Sequence, residues 1–221
     1  MFRFFAFLIL IVAALAGYAW YSAQSLPTWF EDDISQEDKA AEALSESIKK
    51  KGVSQFLGDK VGQVLNGKVS FDETEFNAIM LASLKSNEDG QKLLAVSDAV
   101  KAFLHEDEIE ISAIINLEKL EKVEPKAREA VEKFDKFFFF LKDSKVAVTV
   151  YGTPVARNGG IAIKDDFHIK VGAIPISNSS LRQLGAEVER ANEKTLPIKY
   201  LSVSDVTLRD GGLDLKVLPR F

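Results

Sequence analysis

The hydrophobic pattern changes character twice along the chain. Residues 4–21 form an unbroken uncharged run, FFAFLILIVAALAGYAWY. From Ser35 apolar residues return at helical spacing, with Leu44, Ile48, Phe56, Val61 and Leu65 near one face and Gly52 and Gly58 as interruptions. From Ile109 the period shortens towards two, the alternation of a strand with one buried face.

Eighteen residues at helical rise span about 27 Å, close to the hydrocarbon thickness of a bilayer. Phe4, Phe5, Leu8, Ile9, Leu10, Ile11, Val12 and Leu15 supply the apolar surface of this expected anchor, and Tyr18, Trp20 and Tyr21 an interfacial aromatic belt. Arg3 precedes the run and Glu31, Asp32 and Asp33 follow it. That polarity predicts a cytoplasmic N-terminus and a main domain outside the cytoplasm, periplasmic or extracellular. Ala14-Leu15-Ala16 also has the small-x-small form of a signal-peptidase site, so a cleaved leader is the competing reading. The expected organisation is residues 1–22 as cytoplasmic start and anchor or signal peptide, 23–34 as linker, and 35–221 as one extracytoplasmic α+β domain.

Helix signals mark the first half of that domain. Lys49, Lys50 and Lys51 before Gly52 read as a helix C-terminus, where cations suit the dipole. Asp72 and Glu75 form a capping-box pair, with Phe71 and Phe76 placed as a hydrophobic staple. Replacing Asp72 by Ala is expected to cost about 1 kcal/mol, measurable by urea unfolding, because an orphan N–H loses its acceptor. A further helix is expected near Gln91 to Leu104.

Strand signals dominate the second half. Ile109, Ile111, Ala113 and Ile115 point one way, and Glu110, Ser112 and Asn116 the other, with Ile114 as the exception. Pro125 opens a helix, PKAREAVEKFDKFFFFLKD. Val146, Val148 and Val150 then alternate with polar or small residues, as do Phe167, Ile169 and Val171. Asn158-Gly159 and the Arg209–Gly212 segment are hairpin signals. The expected fold is α+β, an N-terminal transmembrane helix followed by a curved antiparallel sheet packed on helices.

Composition narrows the chemistry. Twenty-eight basic and 33 acidic residues leave a net charge of −5, the wrong balance for a nucleic-acid binder. The absence of cysteine removes disulfides, thiolate metal sites and cysteine nucleophiles. Two histidines, His105 and His168, leave little material for a zinc site or a triad. Gly62–Lys68 nearly spells a phosphate loop, but Val69 stands where the magnesium-binding hydroxyl belongs. His105-Glu106-Asp107-Glu108 reads as a polar stop rather than a metal cluster, and Asp166 and His168 share a solvated strand face with Lys170. No nucleophile–base–orienter set is recognisable, so the expectation is a protein without catalytic residues, metal or cofactor.

The feature that demands explanation is apolar. Of sixteen phenylalanines, Phe134, Phe137, Phe138, Phe139 and Phe140 crowd one helix beside Leu141. Four consecutive rings cover more than one helix face, and burying them is worth roughly 6–12 kcal/mol, comparable with the net stability of a domain. This helix is expected to fill the trough of a sheet; compatibly with that, Phe134, Phe137, Phe138 and Leu141 are candidates to line an apolar groove whose other wall is Val146, Val148, Val150, Phe167 and Ile169.

Two stretches carry a resemblance. One is Val69–Ile79, a capped helix start; the other runs from Lys145 through Tyr151-Gly152-Thr153-Pro154 and Ile169–Ile176 to Leu201–Leu208. Together they resemble the YpmS-type family of N-terminally anchored bacterial proteins of unknown function. The element order is similar to that of the tubular lipid-binding (TULIP-like) group, in which a long helix lies against a strongly curved antiparallel sheet. The resemblance implies a membrane-tethered extracytoplasmic domain holding a lipid or another apolar ligand, without catalytic residues. The expected partners are therefore the membrane, a lipid ligand and, in the alternative reading as an assembly protein, other membrane-protein subunits.

Overall fold

A computed structural model of the chain describes residues 26–31, 36–52, 55–56, 60–123, 145–164, 167–176 and 201–219. Helices α1 (Thr28–Glu31), α2 (Gln36–Lys51) and α3 (Val61–Leu65) lead into strand β1 (Lys68–Asp72). Helices α4 (Glu73–Ser86) and α5 (Glu88–Val96) precede the β2–β3 hairpin (Ser97–Leu104, Ile109–Asn116), and α6 (Leu117–Val123) follows it. The remaining strands are β4 (Lys145–Gly152), β5 (Pro154–Arg157), β6 (Gly160–Ile163), β7 (His168–Val171), β8 (Ile174–Ile176), β9 (Leu201–Arg209) and β10 (Gly212–Pro219).

The strands form a five-stranded sheet β2-β3-β4-β7-β8, a three-stranded sheet β1-β10-β9 and the β5-β6 hairpin. Every described pairing is antiparallel. The α+β class holds, but the expected architecture needs correction in two respects. Among the described residues no helix is long and apolar enough to cross a membrane. The longest, α2, is sixteen residues of QEDKAAEALSESIKKK, far too charged to enter hydrocarbon. The expected anchor, from Phe4 to Tyr21, and the Phe-rich segment, with Phe134, Phe137, Phe138 and Leu141, lie outside the described residues. The sheet is also divided rather than continuous, because β1 pairs with β10 while helix α4 occupies the outer edge of β2.

Local signals account for several boundaries. Asp72 Oδ1 accepts from the Glu75 N–H at 2.8 Å, and Glu75 Oε2 accepts from the Asp72 N–H at 3.2 Å, completing the capping box of α4. Glu75 also takes an ion pair from Lys60, whose ammonium donates to the Ser70 carbonyl as well. Gly52 ends α2 with φ +85°, its N–H bonding the Ile48 carbonyl at 2.7 Å. Asn158 and Gly159, at φ 53° and 77°, make the turn of the β5–β6 hairpin. The segment resembling a phosphate loop runs helix, turn, strand through α3 and β1, the reverse of the strand–loop–helix order that phosphate binding uses.

The helix expected through Leu104 stops at Val96, and Ser97–Leu104 is strand β2. His105–Glu108 is consequently the turn of the β2–β3 hairpin, closed by the His105 N–H to the Glu108 carbonyl at 3.1 Å.

The main core joins the two larger sheets. Val69 and Phe71 of β1, Leu213, Leu215 and Val217 of β10, and Val203 of β9 pack with Leu104 and Ile109 at the β2–β3 turn. Phe76 and Ile79 of α4 seal this cluster. A second cluster joins α2 and α4 through Ile48, Ala78 and Ala82, where two alanines let the helices approach closely.

Candidate functional site

The five-stranded sheet has two chemically distinct faces. Across the ladder, Ala102, Ile111, Val150, Ile169 and Ile176 stand opposite one another in one row. Val100, Ala113, Val148, Val171 and Ile174 form the next, and Ile115 and Val146 a third. Directly opposed residues share a face, so this is a continuous aliphatic surface. Its centre is half-buried, since Ile111, Val148, Val150, Ile169 and Val171 all keep partial exposure. Phe167 joins it by period, and its Cβ lies 3.5 Å from where a Cβ on Gly152 would stand. That end of the face is closed by Ile163 of β6, which fills the space a side chain at 152 would need. The structure thus brings Val146, Val148, Val150, Phe167 and Ile169 onto one surface; the opposite wall of the expected groove lies outside the described residues.

The other face is polar at one end. Phe103, Glu110, Tyr151 and His168 form a cross-strand row. The His168 ring stacks on Tyr151 at 4.6 Å, Lys170 Nζ sits 4.4 Å from the Tyr151 ring centroid, and His105 Nε2 lies 3.2 Å from Glu110 Oε2. Burial raises the Tyr151 pKa, Glu110 adds to the effect, and Lys170 opposes it. Towards the other end this face is covered: Ser112 and Ile114 are fully buried, and the Ser112 and Thr149 hydroxyls bond each other at 2.9 Å. Among the described residues no cluster of three His, Asp or Glu could hold a metal ion.

The outer edge of β2 is where helix and sheet meet. Asn77 of α4 is buried, and its side chain pairs with the strand as another strand would. Its Nδ2 donates to the Ala102 carbonyl at 2.8 Å, and its Oδ1 accepts from the Ala102 N–H at 2.8 Å. Two residues on, the Leu104 N–H bonds Glu73 Oε2 at 3.0 Å, and the Leu104 carbonyl accepts from the Gly211 N–H at 2.8 Å. At Ala102 and Leu104 the edge of the sheet is thereby satisfied without a further strand.

Beside this seam lies a cleft of about 940 Å³ between α1, α2, α4, α5, the first half of β2 and the start of β4. Trp29, Phe30, Leu81 and Leu94 give it apolar walls. Trp29 packs on Phe103 at 6.0 Å, and its buried indole N–H has no acceptor among the described residues. The charges are balanced. Lys85 pairs with Glu42 and Glu46, Lys101 with Asp38, and Lys145 with Asp98, which also holds Lys119. Burial works to lower the Lys85 pKa, but its two carboxylate partners outweigh it and the pKa is raised. The hydrogen bond from Lys85 is the main cause that lowers the Glu46 pKa. Burial pushes the Asp98 carboxyl up, yet Lys119 and Lys145 prevail and hold it below the usual range.

A lowered folded pKa stabilises the fold above the unfolded value and is lost as pH falls through the folded one. Asp98→Asn is therefore expected to lower the urea midpoint at neutral pH, with the gap to the parent protein closing as pH falls below about 4.

Trp29 and Asn77 are the positions whose roles the residue pattern does not assign. A Trp-Phe pair inside an acidic linker, and an Asn flanked by Phe76, Ala78 and Ile79 on a helix, were the available signals, since a buried amide requires partners. Comparison with protein families, with characterised proteins and with solved structures yields no match to the chain.

Proposed function

We propose that the chain is a non-enzymatic binding protein that holds a lipid or another apolar ligand against the aliphatic face of its five-stranded sheet. The observation that carries this reading is the three-row surface of Ile, Val and Ala side chains, half-exposed at its centre. A surface of that composition is what apolar ligands use. The resemblance to the YpmS-type and tubular lipid-binding proteins supports the same reading. The uncharged leader of residues 4–21, with Arg3 before it and acidic residues after it, supports a site of action at the membrane, with the domain outside the cytoplasm.

Native mass spectrometry of the gently extracted protein is expected to show a co-purifying lipid, and the delipidated protein is expected to take up a fluorescent fatty acid. Val150→Asp, at the centre of the face, should reduce that uptake at least tenfold. Absence of both lipid and uptake would overturn the proposal, and recovery of stoichiometric membrane subunits in their place would move the function to assembly.

A further inference from the structure

The edge of β2 is closed over only part of its length. Ala102 and Leu104 turn their N–H and C=O groups outward to Asn77, Glu73 and Gly211. Register is continuous from Val100↔Ala113 to Leu104↔Ile109, so the two-residue alternation of the ladder turns the N–H and C=O of Val100 to the same outward side. Neither group has a partner among the described residues. Val100 lies in the wall of the cleft, with Ser97, Asp98, Ala99 and Lys101 beside it, so the cleft opens on the part of the edge that α4 leaves uncovered.

We propose that this cleft binds an extended peptide segment of another protein, whose backbone adds to β2 at Val100. The molecule already contains the pairing in miniature: the Asn77 carboxamide satisfies Ala102 through one donor and one acceptor, and a peptide backbone would do the same one step along the edge. The charge pattern selects the same class. The cleft walls carry four lysines and four carboxylates, and Lys85, Lys101 and Lys145 are each held by a carboxylate. With four charges of each sign the walls carry no net charge to attract an ion of either sign, so a neutral backbone with small or apolar side chains fits them better than a charged headgroup. Trp29 and Phe30 supply the apolar wall against which such side chains rest. The site shares Val100 with the aliphatic face but uses its backbone rather than its side chain, and it stands whether or not that face carries lipid.

The test is selection of random hexapeptides on phage with the full-length protein, alongside two variants. Val100→Pro removes the outward N–H, a substitution that edge strands accept. Ala43→Trp, at an exposed position of α2, fills the cleft. Enriched peptides are expected to be poor in charge, to shift the Val100 amide resonance and to slow its hydrogen exchange. Their affinity should fall at least tenfold against either variant. If Val100→Pro does not fold, the same peptide N-methylated at alternate amides gives the equivalent comparison and should bind at least tenfold more weakly. Equal binding to the parent and Ala43→Trp proteins, or of methylated and unmethylated peptides, would overturn the proposal. So would the absence of any enrichment, or self-association of the protein through this edge. Fatty-acid uptake by Ala43→Trp should stay at the parent level, which separates this test from that of the aliphatic face.

Discussion

Asn77→Leu is expected to lower stability by about 2–5 kcal/mol, read as a reduced urea midpoint with an unchanged denaturant slope. The two side chains are similar in size, so the effect isolates hydrogen bonding. Leucine would leave the N–H and C=O of Ala102 buried without partners, and each such group costs about 1–3 kcal/mol. The bond from Asn77 Nδ2 to the Glu73 carbonyl, at 3.0 Å, is lost as well. Asn77→Asp keeps the acceptor for the Ala102 N–H, but its carboxylate has no donor for the Ala102 carbonyl, whereas the neutral carboxyl at low pH has an O–H to offer; the variant should therefore approach the parent as pH falls and lose more at neutral pH. A Leu variant as stable as the parent would mean that water replaces the amide at this edge.

The second large effect is a contrast between neighbours. Ile114→Ala is expected to cost about 2–5 kcal/mol, and Ile115→Ala no more than about 1 kcal/mol. Ile114 is fully buried on the face opposite the aliphatic one, whereas Ile115 is half-buried at the rim of the aliphatic face. Thermal or urea unfolding of the two variants decides the matter, and equal losses would show that the two faces are equally covered.

That pair of residues also shows how far the pattern could be read. In β3 the alternation marks Ile111, Ala113 and Ile115 as one face, and Ile114 breaks it because the polar side of this strand is itself covered at that end. Periodicity registers one buried face; it has no symbol for a sheet packed on both sides over half its length. The turns were legible because their chemistry is local: Asn158-Gly159 takes left-handed backbone, and Asp72 with Glu75 forms its box within four residues. Strand β2 was not, since SDAVKAFL has no strict alternation and follows directly on a helix. What makes it a strand is the pairing to β3 and the Asn77 amide on its far side, the latter contributed by a residue 25 positions away. The same applies to the cleft, which is assembled from α1, α2, α4, α5, β2 and the start of β4 and has no contiguous signature. The aliphatic wall, by contrast, was readable residue by residue because Val146, Val148, Val150 and Ile169 obey period two within their own strands.

The pairing of β1 with β10 has a consequence for biosynthesis. Val69 and Phe71 find their strand partners at Leu215 and Leu213, about two thirds of the polypeptide's length later. Loop closure over such a distance makes folding slow. A nascent chain on the ribosome would carry these two side chains, and the open edge beside them, without their mates until β10 emerged. During that interval the polypeptide is a natural client for a holding chaperone.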